Sequence, residues 1–169
     1  MMEQDDDARA ASKLAAEYLK KHHPLQFPDL TDVSPRITSS FIIQGQELDT
    51  FLCTSAIGLT PTGTSEDVKS LPAAIQKVAR SIGGSYWRID LEDEKSYDTD
   101  EGLVRLLEIV WPSREQIIRF CSRAHADIGF LSSVSIFHDR PVYTASAETI
   151  KKIAYLGGEW GLDIFDYRK

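Results

Sequence analysis

Polar and apolar positions alternate across Arg36 to Gln44, with Ile37, Ser39, Phe41 and Ile43 on one side and Thr38, Ser40 and Ile42 on the other. A period of two is that of a strand with one buried face, so the first predicted strand lies here. Tyr86 to Leu91 repeats the pattern and sets Trp87, Ile89 and Leu91 against Tyr86, Arg88 and Asp90. From Asp127 to Phe137, Ile128, Phe130, Val134 and Ile136 share one parity, and His138-Asp139-Arg140-Pro141 predicts a turn into a short strand Val142-Tyr143, forming a hairpin. In the last segment, Trp160 to Tyr167, Leu162 and Ile164 alternate with Asp163 and Phe165.

Between these runs the period lengthens to that of a helix. Asp6 to Lys21 carries Leu14, Tyr18 and Lys21 on one stripe and stops before Pro24. Leu48, Phe51, Leu52 and Ala56 predict a short helix closed by Gly58; Leu71, Ile75, Val78 and Ile82 predict another, started by Pro72 and ended by Gly83-Gly84. Asp98, with Glu101 three positions on, caps a helix bearing Leu103, Leu106, Leu107 and Val110. Trp111-Pro112 interrupts it, and Ser113 with Gln116 forms a second capping box ahead of Ile117, Phe120, Cys121 and Ala124. Ser146 caps a final helix with Ala147, Ile150, Ile153, Ala154 and Gly157 on one side, ended by Gly157-Gly158.

This order predicts an α+β body, a mainly antiparallel sheet with helices packed on a face, of which a ferredoxin-like arrangement is one form. The Pro-, Asp- and Thr-rich stretch from Pro24 to Pro35 reads as a connector. It divides the chain into an N-terminal helical arm and linker, residues 1–35, and the body, residues 36–169.

Composition narrows the class. At 169 residues, with 42% hydrophobic and 27% charged positions, the chain reads as globular. Its start, Met1 to Asp7, is acidic where a secretory leader is basic, and no apolar run reaches bilayer length, so the expected compartment is the cytoplasm, without membrane contact. A net charge of -7 without a segregated basic patch opposes nucleic-acid binding and favours a basic protein partner. Cys53 and Cys121 both neighbour apolar helical positions and read as buried free thiols.

Phe41-Ile42-Ile43-Gln44-Gly45 leading to Leu48 and Asp49, Ile57-Gly58-Leu59-Thr60-Pro61, Trp87 on the next strand and the closing helix-to-strand unit together resemble the bacterial family known as domain of unknown function 4279. The resemblance spans about Arg36 to Tyr167. That family tends towards Leu-Asp-Ile-Asp in its last strand, whereas here Phe165 follows Ile164 and Asp166 comes one position late, on the other face. The resemblance implies no established activity; such families often look like immunity proteins that accompany bacterial toxins.

Motifs for catalysis or cofactors are incomplete. Gly58 to Ser65 has the glycine spacing of a phosphate loop, but Thr64 stands in the lysine position and the loop follows a helix. Asp90, Glu92, Glu94, Asp98 and Glu101 partly mimic a calcium loop, with Lys95 where the glycine of the sharp turn belongs. His22, His23 and His125 sit at helix ends, where a cation suits the dipole, and His138 with Asp139 sits in a turn where it could orient a proton-transfer group, without a Gly-x-Ser-x-Gly elbow or a matched cysteine nucleophile. Trp87, Trp111 and Trp160 read as core anchors. No catalytic, metal or cofactor site is therefore assigned.

The expected function is a non-enzymatic protein-binding domain, most concretely an immunity-type protein that neutralises a bacterial toxin through an acidic surface. Glu92, Asp93, Glu94, Asp98, Asp100 and Glu101 are the expected partner-binding residues. The alternatives are a small intracellular hydrolase using carboxylate or histidine chemistry, and a scaffold subunit docked through its N-terminal arm.

Overall fold

A computed structural model of the chain describes residues 34–66, 84–91 and 94–168. The arm expected over Asp6 to Lys21 and the helix expected over Leu71 to Ile82 lie outside those residues. In chain order the described elements are β1 (Arg36–Gly45), α1 (Thr50–Ile57), β2 (Gly63–Thr64), β3 (Ser85–Asp90), β4 (Glu94–Lys95), α2 (Thr99–Val110), α3 (Arg114–Ala124), β5 (Asp127–Ile136), α4 (Ala147–Tyr155) and β6 (Glu159–Asp166). A short 3-10 turn, Trp111–Ser113, joins α2 to α3.

The strands form one sheet in the order β2-β3-β1-β5-β6, with β4 also paired to β1. β1 is central and antiparallel to β3, β4 and β5, while β5 and β6 run parallel through the α4 crossover. This is the expected α+β, mainly antiparallel architecture. Its connections differ from the ferredoxin-like form, which splits each crossover pair with a third strand. Here α4 joins immediate neighbours.

The alternation in β1, β3 and β5 does what a period of two dictates. Phe41, Ile43, Trp87, Ile89, Ile128 and Phe130 turn to the helices and meet Leu103, Leu106, Leu107 and Val110 of α2 and Ile117 and Phe120 of α3. Phe41 sits edge-on to Trp87 at 6.3 Å and tilted against Phe130 at 5.2 Å, so three aromatic rings anchor the centre of the sheet. Trp87, wholly buried, donates its indole N–H to Thr54 Oγ1 at 2.9 Å, which ties β3 to α1.

Caps fix the helix ends. The Asp49 carboxylate accepts from the Leu52 N–H at 2.8 Å, and Gly58 closes α1 at φ 74°, a left-handed geometry that glycine adopts without strain. Ser146 caps α4 through the Thr149 N–H, as its sequence position suggests.

The structure differs from five local expectations. α1 buries Thr50, Cys53 and Ile57 and turns Phe51 and Leu52 outward, because an eight-residue helix anchored by Leu48 before it seats only one narrow side. α4 likewise buries Thr149 and Ile153, with Leu156 buried at its C-cap, leaving Ala147, Ile150 and Ala154 exposed, while Ala124 of α3 is exposed too. Ser113 makes no capping bond, since the chain passes through the 3-10 turn without the extended residue a cap needs. No hairpin follows β5: Val142 forms an isolated parallel bridge with Asp98, its N–H donating to the Tyr97 carbonyl at 2.7 Å. Its backbone groups are taken by a segment far back in sequence.

Candidate functional site

The acidic segment that precedes and opens α2 is built from hydroxyls as much as from carboxylates. Asp98 caps α2 by accepting from the Asp100 N–H at 2.9 Å, and its Oδ1 also accepts from Thr144 Oγ1 at 2.6 Å. Asp100 accepts from the Ser146 N–H at 3.0 Å, and Glu101 accepts from Ser96 Oγ at 2.7 Å. Beneath them the fully buried Thr99 donates to the Thr144 carbonyl at 2.7 Å and receives the Thr144 N–H at 2.9 Å. The N-terminus of α2 is thus latched to the loop that leads into α4.

The structure therefore brings Asp98, Asp100 and Glu101 together, each bound to internal donors. Glu94 lies in β4 opposite Ile37, whereas Glu92 and Asp93 lie outside the described residues. Asp90, the first position of the calcium-like spacing, is on β3 and is held by Ser40 Oγ at 2.7 Å, Thr62 Oγ1 at 3.1 Å and Arg88 Nε at 3.0 Å. Among the described residues, no three His, Cys, Asp or Glu side chains are placed to hold a metal ion.

A second cluster follows β5. His138 Nδ1 lies 2.8 Å from Asp139 Oδ1, and Tyr97 donates its hydroxyl to Asp139 Oδ2 at 3.1 Å. The His138 bond first, and then the Tyr97 hydroxyl, hold Asp139 below the usual carboxylate range. A carboxylate in that position fixes the orientation of the imidazole, which is half of a general-base device. The cluster is exposed, and Tyr97 was not singled out by sequence because it stands 42 positions from Asp139.

The third feature lies on the helix layer. α1 and α3 enclose an open groove of about 390 Å³ lined by Leu52, Ala56, Phe120 and Ala124, with Arg119 and Arg123 beside them. Phe51 at 84% exposure and Leu52 at 56% belong to the same helix. Below the groove, burial pushes the Cys53 and Cys121 thiols up to about 12, making both poor nucleophiles. Trp111 is only partly buried; Tyr155 lies 5.4 Å from it, while Arg114 and Lys152 approach its ring at 5.3 and 5.7 Å. These contacts tie α4 to the turn between α2 and α3.

Residues 35–167, which span the whole described sheet and its helices, match the family described as Domain of unknown function (DUF4279). The chain belongs to that family. No curated protein and no solved structure matches it. No helix among the described residues is long and apolar enough to cross a membrane.

Proposed function

We propose that this chain is a non-enzymatic protein-binding domain of the bacterial cytoplasm, most concretely an immunity-type protein that neutralises a toxin. The observation that carries the reading is the outward turn of Phe51 and Leu52 beside the groove between α1 and α3. Large apolar side chains held on a capped, rigid helix are what a partner buries at the centre of an interface. The acidic surface has a different task. With a net charge of -7 it attracts a basic partner and speeds encounter, whereas apolar anchors set how long the complex lasts.

Internal bonding supports a division of roles within the acidic segment. Asp98, Asp100 and Glu101 are engaged by Thr144, Ser146 and Ser96, so they add to the field while holding α2 in place. Glu92, Asp93 and Glu94 are the carboxylates proposed to meet the partner. The test is growth rescue: cells expressing the cognate toxin should survive when the wild-type chain is co-expressed and lose that protection with Phe51→Ala plus Leu52→Ala. Equal protection by the folded double variant would reject this surface.

A hydrolase remains the second reading, favoured by the contact between His138 and Asp139. It requires turnover of an activated ester or phosphoester that His138→Ala abolishes. Hydrolysis unchanged by that substitution would reject it.

A further inference from the structure

Among the described residues β6 is an edge strand, and its backbone shows which of its groups are spare. Tyr167 donates its N–H to the Ile136 carbonyl at 2.8 Å, continuing the parallel ladder of β5 and β6. Because successive residues of a strand point their N–H and C=O groups to opposite sides, Gly161, Asp163 and Phe165 bond β5 like Tyr167. The N–H and C=O groups of Trp160, Leu162, Ile164 and Asp166 therefore face outward, where the sheet order places no further strand among the described residues.

Edge strands are ordinarily blunted by proline, charged side chains or a bulge. Glu159–Asp166 has no proline, lysine or bulge, its charges are Glu159, Asp163 and the Arg168-paired Asp166, and Leu162, Ile164, Phe165 and Tyr167 are 36%, 48%, 47% and 45% exposed. We infer that β6 pairs antiparallel with β6 of a second copy of this chain, with Ile164 on the twofold axis. This contact is independent of the toxin-binding reading and uses a different surface.

The register follows from the outward groups. Opposed residues of an antiparallel pair point to the same face, so a twofold that continues the sheet must pass through a residue and its own copy. Asp163 on the axis would set a carboxylate against its twin, which is destabilising. Leu162 on the axis would leave Asp166 facing Gly158, whose N–H already bonds the Ile153 carbonyl. Phe165 on the axis would pair only Ile164 with Asp166, because Leu162 then meets Arg168, whose N–H already bonds Asp166.

Ile164 on the axis pairs three of the four outward residues, Leu162 with Asp166 and Ile164 with itself, and leaves only Trp160 opposite the occupied N–H of Arg168. It also covers Gly161 with Tyr167, and an aromatic over a strand glycine is a known stabilising pair. Trp160 comes to face Arg168, a cation beside an indole. The Asp166 charge at this contact is already offset by Arg168 within each copy.

Sedimentation equilibrium of the full chain tests the inference. Wild type should weigh about twice the 19.0 kDa of one chain at high concentration. Ile164→Pro removes an outward N–H without touching the β5 ladder, a position where an edge strand tolerates proline, and should give single-chain mass. Ile164→Lys should do the same with no backbone change. Amide exchange should show concentration-dependent protection at Leu162, Ile164 and Asp166, with Gly161, Asp163 and Phe165 protected throughout. A wild type that stays at single-chain mass, or a dimer that keeps its mass in both folded variants, would overturn the inference.

Discussion

Gly102 on α2 rests directly on Ser39 of β1: a methyl group at position 102 would lie 2.0 Å from the Ser39 hydroxyl oxygen and 2.9 Å from its Cβ. Helix and sheet can approach this closely only because residue 102 has no side chain. Gly102→Ala should destabilise the fold by about 1–3 kcal/mol, the usual result of overpacking, despite alanine's better helix propensity. Ser39→Gly in the same chain should recover part of that loss. Urea denaturation of the two variants measures both effects.

The Ser39 hydroxyl is buried without a hydrogen-bond partner among the described residues. An unpaired buried hydroxyl is unfavourable, so Ser39→Ala alone should leave stability unchanged or raise it. A loss of more than about 1 kcal/mol would show that the oxygen has a partner.

Asp98 both caps α2 and receives Thr144 Oγ1. Asp98→Ala should cost about 1–2 kcal/mol, and Asp98→Asn, which keeps an acceptor oxygen at the cap, should cost less. Charge reversal at Asp98 would thus confound binding with folding, and Glu94 is the sounder place to reverse a charge.

Burial raises both thiols to about 12, so neither Cys53 nor Cys121 should react with a disulfide reagent at pH 8 until the chain unfolds. The same shift sets a pH dependence. Thiols of the unfolded chain ionise from about pH 8.5 while the folded ones stay protonated, so the unfolded state binds fewer protons and stability falls as pH rises towards 12. Urea midpoints across that range read the slope, and replacing both cysteines with alanine should flatten it.

At the acidic end, Arg168 holds the Asp166 carboxyl down to about 2 through its side chain first and its backbone N–H second. The contribution is full above the ordinary carboxylate pKa of about 4 and is lost as pH falls through about 2. An NMR titration of Asp166 should move up towards the ordinary value in Arg168→Ala.

Much of the fold was legible because strands buried on one face must alternate. Ile37 to Ile43 and Ile128 to Ile136 announced their burial, and Asp98, Ser146 and Gly58 announced helix ends through local bonds a few residues long. Partners far apart in sequence were not legible. Val142 pairs with Asp98, and Thr144 closes on Thr99 across 45 positions, so a turn-rich segment that resembled a hairpin became the strap over α2. Phe51 and Leu52 misled for a related reason. In so short a helix, periodicity does not decide which side meets the core, and Cys53 and Ile57 took it. Of the candidate site, the acids were visible as residue types, but the hydroxyls and amides that engage three of them were not.

Binding kinetics with the purified cognate toxin separate the two surfaces, because charge acts on association and the apolar anchors act on dissociation. Asp93→Lys with Glu94→Lys should slow association about tenfold at low salt and leave dissociation unchanged, while Phe51→Ala should speed dissociation and leave association unchanged. Wild-type rates in all these folded variants would contradict the account.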